Sequence, residues 1–594
     1  MSVAEQYKRH TISESRTSTV SQTNLPSPRS GSTPSPSCRL KTNVVTRCEA
    51  NQSLDSVSDE TLLVPERITV VTRISWESTW ASIQFGERTD PRRWEPIQKR
   101  IAFYLICWIC FLNGFAIGFG NVKIKAQMDE WGIHASDWVL IGMFSLTAAM
   151  HGIGSCFVAP FVQRFGSLPA IFWSSIIIFM TTAFCSFGVN TWAQYVSLRA
   201  VEGFFGSAAT LIGIQIIYDM YSPGFWVTKI GVWATAIMMG PAVGSLASAL
   251  IDMNWRIGFI CLTGAHGLDL IAVIALMQET KYDRVTAINN TPYPQRWLKR
   301  RYEGLLGITG YRCRDGITLW DSTKGMACIL WRPQFCVPAL IHVLVWNLVS
   351  ALGDTTVYTL FRQDKDGYSL ASRRAGLIYL APLVGLFIGQ VLGGQFNKWR
   401  QNRVIVQHGS IIPETVLTGC YLPMLVGLSG FLVFSLLYQD HYHWAGLLLC
   451  WGCTVIAALN TFVTITAYII YCFPIHAATV GALLSFFQAI VVFTSQLYAT
   501  DWVAQIGIYK CFGIQGTIMC LCAFLVTNVQ FWGASWRYNF HWKGELKIVE
   551  VPILTHSELA ATEAKEVYRV WATSAWDRAS VGPKLSPEPS SDSG

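Results

Sequence analysis

Residues 101–120 read IAFYLICWICFLNGFAIGFG, twenty residues without one Asp, Glu, Lys or Arg. A hydrocarbon bilayer about 30 Å thick needs about 20 such residues per helix, so this stretch is expected to cross a membrane. Arg92, Arg93, Lys99 and Arg100 stand just before it, and basic residues ahead of a first span favour a cytoplasmic N-terminus. Five further runs follow at about 138–162, 168–188, 192–218, 225–250 and 256–277. Six more lie at about 334–361, 374–396, 414–438, 444–471, 476–500 and 507–531. The charges agree with this division. Of the 82 charged side chains in 594 residues, residues 1–100 hold 25, residues 278–333 hold 15 and residues 532–594 hold 15. A soluble chain carries about 25% charged residues throughout; a soluble multidomain protein is therefore excluded. The net charge of +8 is scattered and forms no stripe for nucleic acid.

The expected class is an all-α membrane protein of twelve transmembrane helices in two six-helix lobes. The lobes are residues 101–277 and 334–531, joined by a cytoplasmic central loop, 278–333. An even number of spans puts both ends on one side, and the loop's ten Lys/Arg against five Asp/Glu agree with the cytoplasm. Residues 1–100 open with a Ser/Thr/Pro-rich tract unable to bury apolar surface, and are read as a disordered cytoplasmic tail. Residues 532–594 form a second cytoplasmic tail. Six spans plus six around a basic insert is the layout of a transporter built from repeated halves. The seventeen cysteines sit mostly in apolar runs, where they act as small hydrophobes. No metal or other cofactor is expected.

Ionisable residues inside spans are costly and are retained for partners or cavities. Arg199 and Glu202 are three apart on the fourth span, hence on one helix face. His266 and Asp269 repeat that spacing on the sixth, and Asp354 lies in the seventh. Each can serve either as a structural ion pair or as a proton-handling group. On the fifth span Ala236–Gly244 contains Gly240, Pro241 and Gly244. Here Pro removes a backbone donor and Gly permits close helix approach. Gly385, Gly389 and Gly393 have the same small-residue spacing. No G-x-x-x-x-G-K-[ST] phosphate loop occurs, so energy must come from a gradient.

These patterns together resemble the major facilitator superfamily, and within it the fungal twelve-helix drug–proton antiporter branch, over about residues 90–535. Arg199–Gly206 is similar to the fourth-helix motif whose Arg is associated with proton transfer. Ala236–Gly244 resembles the antiporter motif of the fifth helix, associated with export. Asn402–Gly409, Pro413-Glu414, Leu417, His443-Trp444 and Ala467-Tyr468 continue the likeness. The family's loop between helices two and three normally carries an Asp before its Arg. This chain has Gln163 before Arg164, so the resemblance implies a latch short of one partner, with Asp219 as the acidic counterpart of Arg164. It further implies proton coupling through Arg199, Glu202, His266, Asp269 and Asp354, and gating by Arg164, Asp219, Gly240, Pro241 and Gly244. Substrate would meet Asn113, Gln215, Asn347 and Asn460 between the lobes. The implied function is proton-coupled efflux of a drug, toxin or secondary metabolite by a monomer in the plasma membrane, the vacuolar membrane being the other address. The alternative is a proton-coupled importer of a polyamine, sugar or vitamin. A membrane-embedded metalloenzyme would need clustered histidines, and the sequence offers only His441 and His443 close together.

Overall fold

The computed structural model describes residues 91–134, 142, 145–250, 254–281, 297–308, 318–361, 377–408, 411–440 and 443–540. Both expected tails, apart from their membrane-proximal ends, lie outside this set. Among the described residues every regular element is helical, and twelve helices are long. In the first half these are α1 (Pro96–Val122), α2 (Leu146–Phe165), α3 (Ser167–Phe187), α4 (Trp192–Met220), α5 (Pro223–Leu250) and α6 (Trp255–Leu276). In the second they are α7 (Pro333–Phe361), α8 (Leu380–His408), α9 (Tyr421–Gln439), α10 (Trp444–Cys472), α11 (Ala477–Ile506) and α12 (Ile508–Asn539). Eleven of them are long and apolar enough to cross a bilayer. The twelfth, α2, carries His151, Gln163 and Arg164 along with small residues, which lowers its hydropathy.

Within the first half α1 packs on α5, α2 on α4 and α3 on α6; in the second, α8 and α9 pack on α10 and α12 on α9. The halves meet through α2 and α4 against α11, and α5 against α8 and α10. This is a pair of six-helix lobes. Phe387, Leu449 and Leu268 are exposed on the outside, while Phe103, Trp233, Phe335 and Phe512 are fully buried. An apolar exterior of this kind is what lipid solvates. Cys107 and Cys110 are buried in the same apolar cluster as Phe103.

Several helices outrun the apolar runs that reveal them. The eighth run ends near 396, yet α8 continues to His408. Hydrophobicity measures the thickness of lipid, whereas the backbone ladder continues wherever the next residue can be helical. The turn between α2 and α3 is sharper. Gly166 has φ +113°, a conformation that L side chains avoid. Glu279 accepts from the backbone N–H groups of Ser167 (3.0 Å) and Leu168 (3.1 Å). A carboxylate there satisfies N–H groups that an α-helix leaves open at its start. A Cβ on Gly166 would fall on that carboxylate. Thr191 and Asn254 cap α4 and α6 with side-chain oxygens.

The connection between lobes enters on the same face as Pro96, Met220 and Cys472, here termed the loop face. Its helix Leu319–Leu330 packs on α2 and α11. Arg301 donates to the carbonyls of Val273, Ile274 and Met277 at the C-terminus of α6, where the helix runs short of its own N–H donors.

Candidate functional site

The first lobe holds a buried ion pair. Arg199 Nη1 lies 2.6 Å from Glu202 Oε2. Arg199 Nη2 also donates to the Ala116 carbonyl of α1 at 3.1 Å, and its guanidinium faces the Phe259 ring at 5.7 Å. The helical repeat brings residues i and i+3 together, so sequence spacing alone built this contact. Removing one member of such a pair leaves an uncompensated charge in a poor solvent. His266 Nδ1 and Asp269 Oδ2, both buried, stand 3.7 Å apart, too far for a hydrogen bond. His266 Nε2 and Asp269 Oδ2 have no hydrogen-bond partner. Asp354 is on α7; its side chain lies outside the described residues.

The α1–α5 crossing is set by glycine on both helices. A Cβ on Gly240 or Gly244 would overlap the carbonyl of Phe111 or Phe115, and one on Gly118 would overlap the Pro241 carbonyl. The backbones therefore touch along Gly114, Gly118, Gly240 and Gly244. Ser245 and Ser248 donate their hydroxyls to the Gly118 and Phe119 carbonyls at 3.2 and 3.0 Å. Contact of this kind is how small residues join helices where no hydrophobic force operates between them.

At the loop face the lobes are joined by neutral hydrogen bonds. Gln163 donates to Thr479 of α11 and accepts from Ser322 of the connecting helix. Lys281 Nζ donates to the Gln163 carbonyl at 3.0 Å. The position where the resembling family places Asp is thus multiply bonded. Asp219 accepts from Gln215 Nε2 at 3.0 Å on both oxygens, and Gln215 Oε1 accepts from the Ala478 amide at 3.1 Å. Tyr471 donates to the Pro223 carbonyl at 2.6 Å, and Ser155 to the Ala482 carbonyl at 2.8 Å. Arg164 sits at the end of α2, half-buried.

Each of the four expected substrate contacts holds a protein partner. Asn113 donates to the Gly206 carbonyl at 3.3 Å. Gln215 belongs to the loop-face contact. Asn347 accepts from Tyr498 at 2.5 Å. Asn460 donates to the carbonyls of Gly389 and Ile456 at 3.3 and 3.0 Å, inside the second lobe.

Sequence reasoning missed a ring cluster across the lobe interface. Phe462 of α10 stacks on His342 of α7 (centroids 5.1 Å) and lies edge-on to Trp346 (6.0 Å). Trp233 of α5, from the first lobe, closes on the same Phe462 at 5.5 Å. The available signal was a histidine four residues before a tryptophan on the seventh span. Glu414 lies in the short helix Pro413–Val416 ahead of α9. It accepts both Arg537 Nε and Nη2 at 2.9 Å, fastening α12 to the segment before α9.

On the far face, Glu130 accepts from Arg256 Nη2 at 2.7 Å and from Trp255 Nε1 at 2.5 Å. The Arg256 bonds hold the Glu130 carboxyl below the usual carboxylate range.

Comparison with known proteins gives a consistent result. The sequence model described as Major Facilitator Superfamily matches residues 103–532. The efflux pump radE of Floropilus chiversii is 22% identical over 441 residues, 70% of this chain and 77% of that protein. The cycloheximide resistance protein of Candida maltosa is 21% identical over 420 residues, 68% of this chain and 73% of that one. Among solved structures, the human organic anion transporter MFSD10 (TETRAN) aligns with a TM-score of 0.51 at 14% identity, covering 73% of this chain and all of that one. That likeness concerns the fold.

Proposed function

The chain belongs to the major facilitator superfamily, and from that premise we propose that this multi-pass membrane transporter exports small organic molecules in exchange for protons. The observation that carries the reading is the α1–α5 crossing, in which the Gly240-Pro241 motif is seated backbone-to-backbone on Gly114 and Gly118. The resembling antiporters are associated with that motif. Similar fungal proteins named for efflux and for cycloheximide resistance support the same direction.

In this reading the loop face is cytoplasmic, in the plasma membrane. Substrate enters between the lobes when the Gln163–Thr479 and Gln215–Ala478 bonds part. It leaves when they re-form and the far face opens. Glu202 exchanges the proton. A proton on its carboxylate cancels the charge that holds Arg199, which frees the guanidinium from α4 and biases how α4 sits on α1. His266, Asp269 and Asp354 are assigned supporting roles in proton transfer.

The test is flux in proteoliposomes containing the full chain, with cycloheximide among a panel of uncharged organic probes. Export by exchange predicts that a probe accumulates in the lumen against its gradient only when the lumen is acidic. Accumulation driven instead by an acidic exterior would mean that probe and proton move together, which is import.

A further inference from the structure

The ring cluster of Trp233, His342, Trp346 and Phe462 lies in the interior of the spans, away from their loop-face ends. His342 is nine residues from the loop-face end of α7, Phe462 is ten from that end of α10, and Trp233 is ten from that end of α5. At 1.5 Å per residue each is about 14–15 Å along its helix from the loop face. Three of the rings belong to the second lobe and Trp233 to the first, so any motion that parts the lobes must split the stack between Trp233 and Phe462. Three ring nitrogens of the cluster lack hydrogen-bond partners: Trp233 Nε1 lies against Gly213 within the first lobe, and the other two belong to α7 of the second. His342 is 1% exposed, and its Nε2 has no hydrogen-bond partner; Trp346 Nε1 is likewise buried and unpartnered. Such atoms are costly to leave unpaired, and this cost is recovered by a ligand that pairs with them.

Their chemistry restricts that ligand. An indole N–H only donates, so the ligand must bring an acceptor; a neutral imidazole nitrogen either donates or accepts according to its tautomer. A hydroxyl satisfies both atoms. The rings offer flat faces suited to offset stacking. An ammonium ion has no acceptor for Trp346. A carboxylate would require a cation, and no Lys or Arg contact with these four rings occurs among the described residues. Resting on the transporter reading above, we propose that His342 and Trp346 select neutral, flat-ring compounds carrying a hydroxyl or carbonyl, held on the faces of Trp233 and Phe462.

The experiment measures binding of tritiated 2-naphthol to the purified full chain in lipid nanodiscs, without any gradient. The competitors are naphthalene, 2-naphthoate and (2-naphthylmethyl)trimethylammonium, which share the ring and differ in polar group and charge. The neutral hydroxyl compound should bind at least about tenfold more tightly than each competitor, because a site built to pair a hydroxyl rejects analogues that leave its polar atoms unpaired. In His342→Phe and Trp346→Phe, naphthalene should still bind, which establishes a folded site. The preference for 2-naphthol over naphthalene should shrink to within about threefold of parity. The proposal is overturned by equal or tighter binding of the ammonium compound. It is overturned equally by an unchanged preference in both variants, or by no saturable binding of 2-naphthol to the unsubstituted chain. Proton coupling plays no part in this assay, so failure of exchange in proteoliposomes would leave the binding result standing, and the reverse.

Discussion

At Arg199 and Glu202 one spacing in the sequence becomes a 2.6 Å contact in the protein, and the two ends of that contact should respond differently to substitution. Glu202→Gln keeps an oxygen for Arg199 but removes the charge. Under the exchange reading it should leave the protein in the membrane while probe accumulation falls at least about tenfold and stops responding to the imposed pH gradient. Normal pH-driven accumulation would remove Glu202 from the coupling. Arg199→Ala strands a buried carboxylate and should cost about 3–5 kcal/mol of stability, seen as a lowered melting temperature. His266→Ala and Asp269→Asn should weaken coupling to a smaller degree, because that pair is longer and not hydrogen-bonded. Glu130 offers a check through pH. Its folded-state carboxyl is depressed by Arg256, so its contribution is complete above the unfolded value of about 4.3 and disappears as pH falls through the folded value. Both partners are partly exposed, which limits the pair to about 0–1 kcal/mol. Glu130→Gln should therefore lower the melting temperature slightly at pH 7 and have no effect well below pH 4.

Helices, not residues, carry the motion between states, and the loop-face contacts lie at helix ends. Thr479→Val deletes the acceptor for Gln163 at the start of α11. Losing one hydrogen bond of about 0.5–1.5 kcal/mol should shift the populations about two- to twelvefold toward loop-face opening, since a factor of ten corresponds to about 1.4 kcal/mol. Hydrogen exchange in the first two turns of α11 should rise by that factor; unchanged protection there would show that Gln163 holds nothing closed. The elements were legible because a bilayer demands long, nearly charge-free runs, and each run became a helix. Helix ends were less legible, as the continuation of α8 to His408 shows, because charge is tolerated once the helix leaves lipid. The Arg199–Glu202 contact was legible because it is local in one helix. The Gln163–Thr479–Ser322 bonds and the Trp233–His342–Trp346–Phe462 stack were not, since each joins residues more than a hundred positions apart and no spacing rule reports such pairs. Gln215 and Asn460 show the same limit: helix position does not report their bonding partners, an α11 amide and the α8 and α10 backbones.

On the scale of the whole molecule, the positive-inside pattern sets a direction that a single label can read. Cys328 is exposed on the connecting helix Leu319–Leu330. In a chain whose other cysteines are replaced by serine or alanine, an impermeant maleimide should leave Cys328 unmodified in intact cells and modify it in inverted vesicles. Modification in intact cells would reverse the orientation. The α1–α5 crossing has a consequence of another kind, for how such a chain can drift. What faces Gly240 and Gly244 is not a side chain but the carbonyls of Phe111 and Phe115, and no replacement at 111 or 115 can withdraw a carbonyl. Gly118 stands in the same relation to the Pro241 carbonyl, so freedom to vary is set position by position and not helix by helix. Among randomly mutagenised copies that still function, positions 111 and 115 should accumulate varied side chains, while 240 and 244 remain glycine whatever their neighbours become.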